Sequence, residues 1–227
     1  GLMGIYPAID VNTMNKPFIA FFDYTGRLLR LADKETGNWR FSIIDSSDTV
    51  GLAVDLKFDS VDNLHICYSK PDNNLVYAVK ENRDWSFEVI THELQDTPRL
   101  DLDIDHNDRP HIAAPSDYRL VHFYFNGNIW EADQNIGFTV RPGNTITQAI
   151  DSTGTPCFVS SNHHNVLFSS FDNLVWTNEE ICDWETDYKY CKAHLSENGR
   201  VSIFFFNDGF WFFQLVTNIW QLHPVPF

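Results

Sequence analysis

Five tryptophans recur at nearly constant spacing along the 227-residue chain. They are Trp39, Trp85, Trp130, Trp176 and Trp220, and successive members lie 46, 45, 46 and 44 residues apart. A period of this length indicates a repeat architecture, in which each copy is one supersecondary unit that stacks on its neighbours. The repeat therefore has to be explained before any single residue is treated as a site.

Each copy carries a polar turn upstream of its tryptophan. The turn residues are Asp10, Asp59, Asp105 and Asp151 in the first four copies and Ser196 in the fifth. Short runs rich in β-branched and aromatic residues surround each turn and each tryptophan, as in "NLHICYS", "NLVYAV" and "WSFEVI". Such runs predict strands, and Asn, Asp and Gly supply the tight turns between them. No stretch has a helical period over ten residues, so each copy is predicted to be four short strands.

Four-stranded antiparallel repeats of this length are typical of propeller blades. We predict an all-β, five-bladed β-propeller with a repeat of about 46 residues, because a β-sandwich or an open β array would not need a regular period. A single domain over residues 1–227 is expected, with blades at about 5–51, 52–97, 98–143, 144–189 and 190–227. The tryptophans should fill the wedges between blades. No strand looks borrowed across the ends, so the ring is expected to close by packing.

Composition excludes several classes of partner. The formal net charge of −15 argues against nucleic acid and anionic membrane surfaces. No apolar run approaches the roughly 18 residues of a spanning helix, so membrane insertion is not expected. The four cysteines have no metal-ligand spacing, although Cys182 and Cys191 could pair. We expect no cofactor, leave a metal open, and favour a secreted or cell-surface location.

The repeat resembles a known kind of blade. The residues that carry the likeness are "DHNDRPHIAA" (105–114), "DSVDNLHICY" (59–68), "NLVYAV" (74–79) and "TGNW" (36–39). They are similar to repeats of bacterial propeller proteins of the sialidase-like and surface-lectin-like kind. The chain departs from true sialidases because it has no Ser-x-Asp-x-Gly-x-x-Trp box and no arginine triad. The resemblance therefore implies a blade and not an activity.

The first strand of each copy should line the central channel, and its polar residues form the main candidate site. Counting back from the turn residue places Asp55, Asp101, Thr147 and Lys192 at one level, with Tyr6 in the first copy. The next level holds Lys57, Asp103, Ala149 and His194, with Ala8 in the first copy. Clustered carboxylates facing Lys192 and His194 could bind a cation or shift one another's pKa. The alternative is a solvated channel lining with internal ion pairs.

Three further features are weighed as sites. His65 and His111 recur at one strand position of consecutive copies, which favours a structural role, and "NHHN" (162–165) is predicted to be a solvated hairpin turn. The run "FFFNDGFWFF" (204–213) is predicted to be core of the fifth blade, or else an aromatic rim that binds a partner or sugar through Trp211.

We expect a non-enzymatic binding module whose partner is a glycan or a protein surface. In the carbohydrate version, aromatic rings in the grooves between blades would stack on sugars. Two alternatives remain open: an intracellular protein-interaction scaffold, and a glycoside hydrolase that uses the channel carboxylates Asp55, Asp101 and Asp103. The hydrolase needs two carboxylates about 5–9.5 Å apart. No nucleophile triad, phosphate loop or zinc spacing points to other chemistry.

Overall fold

The computed structural model describes residues 5–47, 50–94, 99–134, 136–137, 140, 145–161, 165–172, 174–183, 190–195, 201–206, 210–216 and 219–224. Over these residues the chain forms strands and turns and no helix. Twenty strands make five antiparallel sheets, and each sheet consists of four strands that are consecutive in sequence. The protein is thus an all-β, five-bladed β-propeller, as the repeat predicts.

The blades are numbered in chain order, and the first strand of each is its inner strand. Blade 1 contains β1 (Ile5–Val11), β2 (Pro17–Asp23), β3 (Leu28–Asp33) and β4 (Arg40–Asp45). Blade 2 contains β5 (Val54–Phe58), β6 (Leu64–Ser69), β7 (Leu75–Glu81) and β8 (Asp84–Thr91). Blade 3 contains β9 (Asp101–Ile104), β10 (Pro110–Ser116), β11 (Arg119–Phe125) and β12 (Trp130–Asp133). Blade 4 contains β13 (Thr145–Ile150), β14 (Pro156–Ser161), β15 (Asn165–Asp172) and β16 (Val175–Asp183). Blade 5 contains β17 (Tyr190–Leu195), β18 (Val201–Phe206), β19 (Phe210–Val216) and β20 (Ile219–Pro224).

A side-chain-capped turn joins the first two strands of blades 1 to 4. In blade 2, Asp59 Oδ1 accepts hydrogen bonds from the backbone N–H groups of Val61 and Asn63, at 3.0 and 2.7 Å. Asp105 and Asp151 make the same pair of bonds in blades 3 and 4. These are Asx turns, in which a short polar side chain satisfies the amides of the tight bend.

In blade 1 the residue that caps this turn is Asn12, so the assignment of Asp10 from the sequence is wrong by two positions. Asn12 Oδ1 accepts from the N–H groups of Met14 and Lys16, at 3.1 and 2.9 Å. Asn and Asp offer the same acceptor oxygen to such a turn, which is why the nearby aspartate was mistaken for it. The shift moves every inner-strand residue of blade 1 by two positions relative to the other blades.

The fourth position of the turn requires a left-handed backbone. It is occupied by Asn15, Asp62 and Asp108, with φ between 55° and 65°, and by Gly154 in blade 4, with φ of 85°. Asn and Asp tolerate this conformation and Gly adopts it freely, so these residue types recur there. The Asp62 carboxylate accepts from the backbone N–H and hydroxyl of Thr13, and Asp108 does the same for Ser60, which links the turns of neighbouring blades.

Among the described residues, the hydrophobic core is divided into four clusters, each lying between two consecutive blades. Every cluster contains buried residues from the facing strands of both blades. Each also includes the recurrent tryptophan of the later blade, namely Trp85, Trp130, Trp176 and Trp220. The prediction that these rings fill the wedge between blades is confirmed for the four tryptophans. The inner strands pack in the order β1, β5, β9, β13 and β17.

Some expectations fall on residues that the structure does not describe. These are the turn at Ser196, the hairpin turns at 162–164 and 207–209, and the side chains of Cys182 and Cys191. Cys67 and Cys157 are buried free thiols. Within the described part of the chain, no helix is long and apolar enough to cross a membrane.

Candidate functional site

The inner strands bring the predicted channel residues together. Aligning blade 1 on its turn residue Asn12 changes which residues of β1 belong to each level. The first level holds Asp55, Asp101, Thr147 and Lys192, joined by Ala8 from blade 1 instead of Tyr6. The second level holds Lys57, Asp103, Ala149 and His194, joined by Asp10 instead of Ala8. Asp10 is therefore a channel-strand carboxylate that the sequence interpretation had assigned to a turn.

Side chains on these levels fasten each blade to the next. The backbone N–H of Leu102 donates to Asp55 Oδ2 at 2.9 Å, and that of Gln148 donates to Asp101 Oδ2 at 2.6 Å. The pattern continues in both directions along the chain, with bonds from Phe58 N–H to Asp10 Oδ2 and from Ala193 N–H to Thr147 Oγ1. We call this set the inner-strand ladder. Hydrogen bonds between buried amides and carboxylates are charge-assisted and strong.

Asp101 is the centre of the channel cluster. Besides the Gln148 amide, its carboxylate accepts from the Thr147 hydroxyl at 3.0 Å and from Lys192 Nζ. Lys192 belongs to blade 5 and Asp101 to blade 3, so this ion pair joins two blades that are not neighbours. The Asp101 side chain is buried, whereas that of Lys192 is 57% exposed.

Burial and mutual repulsion perturb the channel carboxylates. Burial, reinforced by the neighbouring Asp101 carboxylate, raises the pKa of Asp55 to about 7. Burial also raises the pKa of Asp103, although the Lys57 ammonium opposes the shift. Burial alone would lower the pKa of Lys192, but Asp101 and Asp55 outweigh it and raise that pKa. Asp55 and Asp101 thus differ in environment, the condition that separates acid from base in paired carboxylates.

The two remaining sequence candidates lie outside the cluster around Asp101. His194 is exposed on β17 at the second channel level, opposite Ser202 of β18. Trp211 is half-buried and packs against the cluster between blades 4 and 5. A binding role for either residue stays a prediction. In the described ranges, no group of three or more His, Cys, Asp or Glu side chains could hold a metal ion.

A groove of about 360 Å³ opens between blades 2 and 3, away from the channel. It lies at the end of the blades that carries the Asx turns, and its walls combine aromatic rings with carboxylates. The lining residues from blade 2 are Asp59, Asn63, His65, Tyr77, Val79, Glu81, Ser86, Phe87 and Glu88. Those from blade 3 are Asp108, Pro110, Phe125 and Trp130. We call it the aromatic groove.

A buried relay of hydrogen bonds fixes one wall of the aromatic groove. His65 Nε2 lies 3.2 Å from Asp59 Oδ2, and His65 Nδ1 lies 2.5 Å from the Tyr77 hydroxyl. Burial lowers the pKa of His65 and raises that of Tyr77, while hydrogen bonds from Asn63 and His65 outweigh burial and keep the pKa of Asp59 low. A neutral His65 therefore donates to Asp59 and accepts from Tyr77, which holds the tyrosine ring in place.

The Trp130 ring forms the opposite wall. It contacts Tyr77 edge to face, with ring centroids 5.0 Å apart, and its Nε1–H donates to Glu88 Oε2 at 3.1 Å. A second edge contact with Phe125, at 5.8 Å, supports the indole from behind. The ring is half-buried, and its polar edge is held by a carboxylate of the neighbouring blade. This is a rigid aromatic surface with acceptor oxygens beside it.

The same arrangement recurs between blades 3 and 4. His111 lies between Asp105 and His122, with Nε2 3.7 Å from the Asp105 carboxylate and Nδ1 2.8 Å from His122 Nε2. Trp176 Nε1–H donates to Asp133 Oδ2 at 2.6 Å. Burial lowers the pKa of His111, and it lowers that of His122 to about 3. His122 takes the place of Tyr77 in this second relay.

The other two inter-blade positions have different chemistry. Between blades 1 and 2, Phe18 and Leu31 occupy the positions of His65 and Tyr77, and Lys80 Nζ lies 5.9 Å from the centroid of the Trp85 ring. Between blades 4 and 5, Trp220 Nε1 is buried without a hydrogen-bond partner among the described residues. The pairing of a tryptophan with a carboxylate acceptor and a polar relay thus occurs at two consecutive grooves.

Sequence reasoning interpreted His65 and His111 as structural and did not single out Tyr77, Glu88 or Trp130. The structural role of the histidines agrees with their burial, but they also support the walls of a groove. The sequence does contain a signal for these walls. In blade 2, His65 is followed twelve residues later by Tyr77, and in blade 3, His111 is followed eleven residues later by His122, so both blades pair a histidine with a second polar ring.

Comparison with known proteins places the fold. The chain superposes on the SapL1 lectin in complex with alpha methyl fucoside with a TM-score of 0.71 and 13% identity, over 97% of this chain and 81% of that one. The fucose-specific lectin from Aleuria aurantia gives a TM-score of 0.69 and 11% identity, over 100% of this chain and 81% of that one. The likeness establishes the β-propeller fold.

Enzymes share the architecture as well. The alpha-L-arabinofuranosidase Arb93A from Fusarium graminearum gives a TM-score of 0.62 and 11% identity, over 99% of this chain and 81% of that one. No family model matches the sequence and no curated protein matches it, so the sialidase-like type of repeat stays a prediction. Sequence identities this low support only the fold, so the function has to be inferred from the residues of the site.

Proposed function

We propose that this propeller is a non-enzymatic carbohydrate-binding module of the lectin type, and that it binds sugar in the aromatic groove. The observation that carries the proposal is the pairing of Trp130 with Glu88 across two blades, beside a tyrosine fixed by a buried relay. Sugar recognition needs an apolar surface for the C–H face of the ring and fixed acceptors for its hydroxyls. The two lectin neighbours support this reading through their shared fold.

The charge of the groove limits the ligand. Its walls carry the carboxylates of Asp59, Glu81, Glu88 and Asp108, and its lining contains no Lys or Arg. An anionic sugar, such as a sialic or uronic acid, would enter this groove against like charge without a cation to pair with. We therefore propose a neutral, hydroxyl-rich sugar. The groove between blades 3 and 4, with Trp176 and Asp133, is the proposed second site.

The test is a titration of the intact protein with methyl glycosides, followed by tryptophan fluorescence and calorimetry. α-Methyl fucoside is the first probe, methyl β-galactoside and methyl α-mannoside follow, and N-acetylneuraminic acid is the charged control. A monosaccharide of this size should bind with a Kd of roughly 0.05–1 mM. Trp130→Ala should weaken binding at its groove by at least about tenfold, because it removes the stacking surface.

Trp39→Ala is the matched control. Trp39 occupies the same repeat position in blade 1 and lies outside both proposed grooves, and its side chain is 44% exposed. The variant should bind sugar like the unmodified protein. Absence of binding to all neutral glycosides on a wide glycan array, or binding that survives the double variant Trp130→Ala, Trp176→Ala, would refute the proposal.

A glycoside hydrolase acting at the channel is the second candidate. It is favoured by the unequal environments of Asp55 and Asp101, of which Asp55 has a pKa raised to about 7. Against it, each oxygen of Asp101 and each oxygen of Asp55 already accepts a hydrogen bond from the protein. Hydrolysis of arabinan- or galactan-type chromogenic substrates, lost in Asp55→Asn with the fold intact, would establish this activity and displace the lectin proposal.

A further inference from the structure

Blades 1 and 5 each have a sheet face on which no other sheet packs within the described residues. The four core clusters join blades 1 to 2, 2 to 3, 3 to 4 and 4 to 5. The inner strands β1 to β17 pack pairwise in chain order, but β1 and β17 do not pack against each other as the other neighbours do. The described strands therefore form an arc with two free faces, and the expectation that the ring closes by packing of blade 5 on blade 1 is wrong for these residues.

The free face of blade 1 is built like the faces that the other blades bury. Ile9 is 64% exposed, whereas Leu56 and Leu102, which occupy the same inner-strand position in blades 2 and 3, are 0% exposed. The cross-strand row that begins at Ile9 continues through the half-buried Ile19 and the small, buried Ala32 to Phe41, which is 63% exposed. Large apolar side chains exposed at both ends of such a row are typical of a surface that packs against a partner.

The recurrent tryptophan also indicates that this face of blade 1 lacks a packing partner among the described residues. In blades 2 to 5 this ring packs on the preceding blade, as part of a core cluster. In blade 1 the equivalent Trp39 is exposed, and it lies one residue before the strand that carries Phe41 and the exposed Ile43. The residue that fills the wedge is present, but the described chain has no sheet on the other side of the wedge.

Blade 5 exposes apolar side chains on the face that points away from blade 4. Phe204 is 45% exposed, whereas the residues at its position in blades 2 and 3, Cys67 and Ala113, are 0% exposed. Phe204 stacks on Phe212 with centroids 5.6 Å apart, and Phe212 stacks on His223 at 4.8 Å. The row is aromatic from the second strand to the fourth, which suits packing against another apolar sheet.

The lectin superpositions are consistent with one missing blade. They cover nearly all of this chain and 81% of each lectin chain. The uncovered fifth of a lectin chain is about as long as one repeat of this protein. Because the fold comparison extends over all five blades, the extra length is what a further blade would require.

We propose that the space between blades 5 and 1 is filled by one further four-stranded blade of the same repeat type, which these 227 residues do not contain. Its packing would continue the four interfaces already present, with apolar residues facing Phe204 on one side and Ile9 with Trp39 on the other. A second copy of the five-bladed chain is the other possible occupant, and the experiment below distinguishes the two.

The experiment adds a blade to the intact chain. A sixth blade is made by repeating residues 52–97 after residue 227, and it is compared with the unextended chain. The unextended chain should bind the dye ANS and associate as its concentration rises. The extended chain should be monomeric, lose most of the ANS signal, and unfold with a midpoint at least about 5 °C higher, because two apolar faces become buried.

Ile9→Lys provides the matched test. In the unextended chain it should leave the unfolding midpoint nearly unchanged, because Ile9 is exposed. In the extended chain it should remove most of the midpoint gain, because the lysine would then be buried. Leu56→Lys placed only in the added repeat should have the same effect from the other blade.

Three outcomes would overturn the proposal. The first is an unextended chain that is monomeric and does not bind ANS, since its faces would then already be covered. The second is a discrete dimer that Ile9→Lys dissociates, since the occupant would then be a second copy. The third is an added blade that proteases remove as an unfolded tail. Glycan binding in the grooves is independent of all three.

Discussion

Replacement of His122 by tyrosine isolates the contribution of one buried histidine to acid stability. His122 is 4% exposed, and burial together with the nearby His111 lowers its pKa to about 3. In the unfolded chain the same group should titrate near its usual value of about 6.5. The folded state therefore favours the neutral ring, and the stability it contributes is complete above about pH 6.5 and decreases as the pH falls below that value.

The magnitude follows from the gap between the two pKa values. Each pH unit between them costs about 1.4 kcal/mol, so at pH 5 the fold should lose about 2 kcal/mol through His122 relative to pH 7.5. Tyrosine is the residue that blade 2 has at this position, where the Tyr77 hydroxyl bonds His65 Nδ1 at 2.5 Å. His122→Tyr should keep the bond to His111 and remove the titration.

The assay is urea unfolding at pH 7.5 and pH 5, followed by tryptophan fluorescence. The free energy of unfolding should fall by about 2 kcal/mol less in His122→Tyr than in the unmodified protein over this interval. The control is His92→Gln, which removes a histidine from the surface of blade 2 and leaves the buried pair of His111 and His122 in place. If both variants follow the unmodified protein at both pH values, burial of a neutral His122 is not a source of acid sensitivity.

Five further substitutions test the channel and the turns by chemical denaturation. Asp101→Ala should lower the free energy of unfolding by about 3–5 kcal/mol, because it leaves buried donors unpaired. Lys192→Met should cost less, because the Asp101 carboxylate keeps its hydrogen bonds from Thr147 and Gln148; equal losses would contradict the role given to the ladder. In the unmodified protein, stability should fall as the pH rises from about 4 to about 7, because the unfolded chain loses the Asp55 proton at a lower pH than the folded state, in which the pKa is raised to about 7. Asp55→Asn should remove this fall in stability, and an unchanged pH profile would refute the prediction. Gly154→Asn should be nearly neutral and Gly154→Val should cost about 1–2 kcal/mol, since the backbone there has φ of 85°; a harmless valine would show that the turn can relax.

The repeat made the fold predictable. Tryptophans at a spacing near 46 residues, with Asx turns and β-branched runs between them, define four strands and their order without reference to distant contacts. The error at Asp10 has a local cause, because Asn12 performs the same capping with a different residue type. A single substitution of this kind shifts the alignment of a whole inner strand, and it moved Asp10 out of the channel set.

The candidate sites were less predictable, because they depend on contacts between blades. Asp55, Asp101, Asp103 and Lys192 were grouped correctly from their shared position in the repeat, but the sequence could not tell that the oxygens of Asp101 are occupied by partners. The bond from Trp130 to Glu88 joins residues 42 positions apart on different sheets. Such a pair follows from the tilt of one blade on the next, which periodicity alone does not specify.

The inner-strand ladder also sets a rule for exchanging blades. Each rung needs an acceptor on one blade and a free backbone N–H on the next. The donors Leu102, Gln148 and Ala193 share one repeat position, and Phe58 lies two residues further along its inner strand. Proline has no such hydrogen, so no interchangeable blade can carry it at a donor position. The donor side chains vary widely, whereas the donor is a backbone group that almost every residue supplies. Blades can thus diverge in sequence, or be shuffled by recombination, while the fastening between them is preserved.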